Sequence, residues 1–86
     1  MSVYALDSNI ISFYLRENAS VIENIEKAIS NGNVIVIPPK RNAGRNTEDA
    51  DIFIAAFCIH NNYILVTDNI KHFSNITDLR TINWAR

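Results

Sequence analysis

Apolar and polar positions fall in short blocks along the chain, and the blocks read alternately as strands and helices. Val3 to Leu6 is an apolar run that stops at Asp7-Ser8-Asn9, the pattern of a buried strand meeting a polar turn. Ile10, Ile11, Phe13, Tyr14 and Leu15 predict a short helix closed by Arg16-Glu17-Asn18, with Ser8 or Asn9 as its N-cap. Ser20-x-x-Glu23 then fits a capping box. Apolar residues recur behind it at Val21, Ile22, Ile25, Ala28 and Ile29, and Gly32 follows as a stop, so a second helix is predicted.

Val34-Ile35-Val36-Ile37 is β-branched throughout and ends at Pro38-Pro39, which predicts a strand covered on both faces, as parallel strands are. Lys40 to Asn46 reads as a polar loop. Thr47 is expected to cap a helix through Glu48, Asp49, Asp51, the apolar run to Ile59, and His60, with acidic residues in the first turn where the dipole favours them. Asn61-Asn62 closes it. Tyr63 to Val66 is a third strand ending at Thr67-Asp68-Asn69, Ile70 to Phe73 one helical turn, and Leu79 to Trp84 holds a short edge strand. Strands alternating with helices and no internal repeat predict an α/β fold, a small parallel sheet with helices on both faces, forming a single domain over residues 1–86.

Size and composition add a constraint. A chain of 86 residues that is 48% hydrophobic is near the length at which one core is only marginally stabilising, so a second chain would help it. Cys58 is the single cysteine and lies in the apolar run Ile52 to Ile59, which excludes an intramolecular disulfide and fits a buried thiol in a reducing compartment. The start has no basic leader region and no apolar stretch is long enough to span a bilayer. The expectation is a cytoplasmic protein with no membrane contact. A net charge of -1 leaves only local charge to attract a polyanion. Lys40, Arg41 and Arg45 make the one basic concentration; such a loop is more often a solvated connection than a binding surface, and contact with RNA phosphates is the alternative open to it.

In open parallel sheets ligands bind beyond the carboxyl ends of the strands. Asp7 and Asp68-Asn69 stand at such ends, and Asp51 lies in the first turn of the helix leading into the third strand, so three distant positions are expected to converge on one edge. Carboxylates gathered there repel each other unless a proton or a cation relieves them. Oxygen ligands without paired histidines or cysteines select Mg²⁺ or Mn²⁺ over zinc. Such an ion holds a phosphodiester oxygen and lowers the pKa of a bound water, so the reaction class would be metal-dependent hydrolysis of a nucleic acid. Each acid also has a plain structural role open to it: Asp7 as a helix cap, Asp51 as an answer to a helix dipole, Asp68-Asn69 as an Asx-turn. His60 and His72 flank the third strand without ligand spacing and read as surface or helix-end residues. Ser8 has no neighbouring histidine or lysine to activate it and reads as a capping residue.

Taken together, the motifs resemble those of the PIN-domain ribonucleases, specifically the VapC-type toxins of bacterial toxin-antitoxin pairs. Tyr4-Ala5-Leu6-Asp7-Ser8-Asn9 resembles the family's first-strand motif. Asp51-Ile52-Phe53-Ile54-Ala55-Ala56 resembles its central Asp with an Ile-Ala-Ala helix. Leu65-Val66-Thr67-Asp68-Asn69, with Phe73 and then Asn83-Trp84, resembles its C-terminal pattern. The resemblance covers residues 1–39 and 48–86. It implies a Mg²⁺- or Mn²⁺-dependent endoribonuclease, RNA as substrate and a cognate antitoxin as partner. By the same resemblance Asp7 and Asp51 correspond to metal-binding, catalytic acids, and a further such position falls on Asp68 or Asn69.

The chain departs from the family after the second strand, where members carry two more helices and a further glutamate. Here Pro38-Pro39 runs into the loop 40–47, nothing matches that glutamate, and Glu48 and Asp49 are the nearest acids. Eight loop residues span at most about 26 to 29 Å, enough for the return crossover. The implied protein is therefore a reduced PIN-like fold, shortened by an internal deletion, with activity retained, reduced or lost. The alternative is a non-catalytic remnant that binds an antitoxin or a toxin partner, or whose uncovered apolar surface predicts a homodimer or higher oligomer.

Overall fold

Four apolar residues near the amino terminus, Val3–Leu6, form strand β1, and the rest of the sheet is built outward from it. The computed structural model describes residues 1–39 and 47–85, with side chains described up to 39 and from 51 to 85. After β1 come α1 (Ser8–Leu15), α2 (Ala19–Ser30), β2 (Val34–Val36), α3 (Thr47–Asn61), β3 (Ile64–Val66), α4 (Ile70–Phe73) and β4 (Arg80–Ile82). The sheet order is β2-β1-β3-β4 and every pair is parallel, with Tyr4 opposite both Ile35 and Ile64, and Leu65 opposite Thr81. The α/β fold expected from the sequence is thus present.

The chain leaves β1 for β2 on one side, then passes back to β3 and β4 on the other. Direction reverses between β1 and β3, and in open parallel sheets the crevice at such a reversal is the usual ligand position. Because side chains alternate across a strand, the central pair feeds two cores. Leu6 and Val66 join Ile10, Val21, Ala28 and Trp84, with Tyr4 and Ile35 packed alongside. Ala5 and Leu65 point the other way and join Ala55, Cys58 and Phe73, with Val36 alongside. Helices α1 and α2 therefore cover one face of the sheet, and α3 and α4 the other.

Three local expectations are corrected. The second helix starts at Ala19 with Asn18 as its N-cap, whose Oδ1 accepts from the Val21 N–H at 3.0 Å. Ser20, expected to open a capping box with Glu23, instead donates its hydroxyl to the Trp84 carbonyl at 2.7 Å. An asparagine caps at least as well as a serine, and a serine inside the first turn is then free to pin the carboxyl-terminal tail. Likewise Asp7, not Ser8 or Asn9, stands at the N-cap of α1. The second strand is also less covered than its sequence predicts: it ends at Val36, lies at the sheet edge, and leaves Val34 and the following Ile37 exposed. A β-branched run reports strand formation, while cover depends on elements elsewhere in the chain.

All three longer helices end alike. Glu17, Gly32 and Asn62 adopt positive φ, and the next residue's N–H returns to the carbonyl five positions back: Asn18 to Phe13, Asn33 to Ala28, Tyr63 to Cys58. This closure satisfies carbonyls that the helix itself cannot. The last of these bonds turns the chain from α3 straight into β3. Among the described residues no helix is long and apolar enough to cross a membrane.

The cap assignment is directly testable. Asn18→Ala should lower unfolding free energy by about 1 kcal/mol, measured by urea denaturation. Glu23→Ala should stay within about 0.5 kcal/mol of wild type, as expected for an exposed side chain without a capping role.

Candidate functional site

The β ladder runs one residue beyond β1 and β3, since the Asp7 N–H donates to the Val66 carbonyl and the Thr67 N–H to the Ile82 carbonyl. Asp7 and Thr67 therefore sit side by side at the carboxyl edge, directly over the point where the chain reverses. Asp7 is 8% exposed and Thr67 fully buried. A carboxylate so far from water needs donors. Its Oδ1 accepts from the Ser8 N–H at 2.8 Å and its Oδ2 from the Thr67 hydroxyl at 2.9 Å. The positive end of α1 lies against it as well. The structural role open to Asp7 is thus filled, and the bond to Thr67 adds a contact across strands that a cap alone does not require.

Thr67 carries the pattern onward. Its Oγ1 accepts from the Asn69 N–H at 3.0 Å, a local turn of the kind threonine hydroxyls stabilise. That turn lifts Asp68 to the rim. The Asp68 N–H reaches Asn9 Oδ1 at 3.4 Å, and Asp68 Oδ1 accepts from Asn83 Nδ2 at 3.0 Å. Asn83 also accepts from the Ala85 N–H at 2.8 Å, so the tail that follows β4 is tied to the site. Asn69 stands at the start of α4 with an exposed side chain that makes no cap hydrogen bond.

Asp51 reaches the same edge by a different route. It is the fifth residue of α3, just past the first turn in which it was expected. From Asn61 back to Asp51 the helix rises about 15 Å, while β3 and the residues to Asp68 advance about 13 Å from Ile64. The two acids are therefore at similar height over the sheet. One contact ties Asp51 to this part of the chain: His72 Nδ1, on the short helix that follows Asp68, lies 3.0 Å from Asp51 Oδ2. Asp51, Ala55 and Cys58 share one face of α3 by their spacing. Burial pushes the Cys58 thiol up to about 11, with the negative charge of Asp7 adding to the shift, so the thiol underlies the carboxylate and stays protonated.

The edge thus places Asp7, Asp68, Asn69 and Asp51 along one rim and links them in two hydrogen-bonded sets, one through Thr67 and one through His72. Among the described residues no three His, Cys, Asp or Glu side chains close on one point in a way that could hold a metal ion, so full convergence of the three acids is not seen there. Lys40, Arg41 and Arg45, the expected RNA contacts, lie outside the described residues, as do the side chains of Glu48 and Asp49. Thr67 and His72 are the residues that local reading missed. A threonine between an apolar strand and an acid was a visible signal for the first. A histidine twenty-one positions from its partner offered none for the second.

Two outcomes follow. Thr67→Val, nearly isosteric, should cost about 1 to 3 kcal/mol by leaving a buried carboxylate oxygen short of a donor, whereas Thr67→Ser should recover most of it; urea titration measures both. For Cys58 the folded value lies above the ordinary 9.0, so its contribution is complete below pH 9. It is lost as pH rises towards 11, because the unfolded chain ionises first. Wild type should lose on the order of 2 kcal/mol relative to Cys58→Ala over that interval. No protein-family model, no curated protein and no solved structure matches the chain.

Proposed function

We propose that the chain is a cytoplasmic, VapC-like toxin of reduced PIN type, a Mg²⁺-dependent endoribonuclease in design, with RNA as substrate and an antitoxin as partner. The observation that carries the reading is the position of Asp7 and Asp68 at the carboxyl ends of the two strands flanking the reversal, with Asp51 brought to the same rim. The donor set fits the ion. All the candidate ligands are oxygens, which suits Mg²⁺ or Mn²⁺. Mg²⁺ keeps several waters and is commonly held by one or two carboxylates together with substrate phosphates, so a rim that does not close three acids on one point is still compatible with it.

Asp7, Asp51, Asp68 and Asn69 are the residues that would hold the ion and serve catalysis. Bound there, a divalent cation supplies a water of lowered pKa and stabilisation of the leaving oxygen. The chain's own contribution is orientation. Thr67 and Ser8 fix the Asp7 carboxylate, Asn83 and Asn9 fix Asp68, and His72 holds Asp51. Lys40, Arg41 and Arg45 are the proposed contacts to RNA phosphates.

A second reading has its own support. An apolar recess of about 500 Å³ opens beside Asp7, lined by Leu6, Ile11, Leu15, Ile37, Phe53 and Ile54 among others. Leu15 and Ile37 of its lining are more than half exposed. Apolar surface that the described residues leave uncovered favours a non-catalytic remnant that associates with itself, an antitoxin or a toxin partner.

Purified protein should cleave RNA in Mg²⁺ and stop on chelation, and Asp7→Asn should reduce the rate by about 100-fold or more, as loss of a charged ligand at the reacting phosphate demands. Equal cleavage by both proteins, or none by either, removes the nuclease reading. Light scattering at micromolar concentration should show a dimer or larger; a monodisperse monomer removes the self-associating remnant.

A further inference from the structure

α4 is only four residues long, so what fixes its roll against the sheet is the burial of one side chain. Phe73 is 2% exposed and packs in the cluster that holds Ala55 and Cys58 of α3. With Phe73 anchored there, the preceding residue, His72, lies against the amino-terminal half of α3. Its Nδ1 meets Asp51 Oδ2 at 3.0 Å. A carboxylate carries no proton to give, so the ring nitrogen donates. The second Asp51 oxygen accepts no hydrogen bond from any described residue. The Asp51 side chain is 22% exposed and that of His72 53%, so the pair stands at the rim with a route to solvent.

Resting on the metal-site reading above, we infer that His72 is the positioning residue for Asp51: its Nδ1–H would occupy one carboxylate oxygen and leave the other to ligate a bound ion. Ligating carboxylates are ordinarily hydrogen-bonded in this way, and loss of such a partner typically weakens metal affinity by about 10- to 100-fold. His72 itself contributes a donor and no ligand, so the coordination stays all-oxygen. It ties Asp51 of α3 to the segment that follows Asp68. An exposed pair of this kind gives the fold little, so a role confined to structure would leave metal affinity where it was.

The test measures Mn²⁺ binding directly, by paramagnetic resonance of free Mn²⁺ and by calorimetry, on wild type, Asp51→Asn, His72→Ala and His72→Asn. Asparagine places an amide N–H close to where the Nδ1–H stands. Expected are saturable binding by wild type, a dissociation constant raised about 10- to 100-fold in His72→Ala, recovery toward wild type in His72→Asn, loss in Asp51→Asn, and closely similar melting curves for all. Wild-type affinity in His72→Ala overturns the positioning role and leaves the metal site standing. A weakened His72→Asn overturns the donor assignment, and an unaffected Asp51→Asn removes Asp51 as a ligand and the inference with it. Absence of saturable Mn²⁺ binding by wild type overturns the metal site and the inference together.

Discussion

The hydrogen bond between the Asp7 carboxylate and the Thr67 hydroxyl is the contact on which the geometry of the carboxyl edge depends. It joins residues sixty positions apart at the ends of the two central strands. It is made between a carboxylate 8% exposed and a hydroxyl that is fully buried. Burying a charge is unfavourable unless donors meet it, so the register of β1 against β3 and the start of α1 are constrained together. A slip of one residue between the strands would present a side chain of the other face to Asp7, leaving the carboxylate without its second donor. The same threonine oxygen accepts from the Asn69 N–H, so the constraint passes into the turn that raises Asp68.

Much of the architecture was legible because it is written in local pattern. Val3–Leu6 and Ile64–Val66 are apolar runs that stop at Asp7 and at Thr67-Asp68, and such runs report strands buried on both faces. What was not legible depends on distant partners. Ser20 sits in a sequence that matches a capping box, yet it bonds the Trp84 carbonyl sixty-four residues away, and Asn18, two positions earlier, takes the cap. Val34-Ile35-Val36-Ile37 has the composition of a covered strand, yet it stands at the sheet edge, where Ile37 is 66% exposed. Composition states what a segment can tolerate on its faces, while topology decides what is placed there.

The site was legible by position and not by partnership. That Asp7, Asp51 and Asp68 belong to one edge follows from where they fall relative to strands and helix. How each is held does not. The structural and chemical roles weighed for Asp7 also turn out to be compatible. Its Oδ1 caps α1 through the Ser8 N–H, and a carboxylate oxygen has more than one lone-pair direction to offer. A cap hydrogen bond therefore orients such an acid without exhausting it.

The two halves of the rim make different demands on the sequence. Around Asp7 a lost donor acts on a buried group, so fold stability and site geometry move together, and a variant there that loses activity leaves the cause undivided. Around Asp51 the partner histidine is half exposed, and ion pairs or hydrogen bonds at such positions contribute at most about 1 kcal/mol. Stability alone gives little reason for His72 to be there. An orienting role for Asp51 gives one, because a partly exposed carboxylate at the rim otherwise spreads over several rotamers and presents its oxygens in no fixed direction. The rim thus combines one acid fixed by burial with another fixed by a single side chain. It is the second whose contribution to the proposed ion binding can be separated from its contribution to the fold.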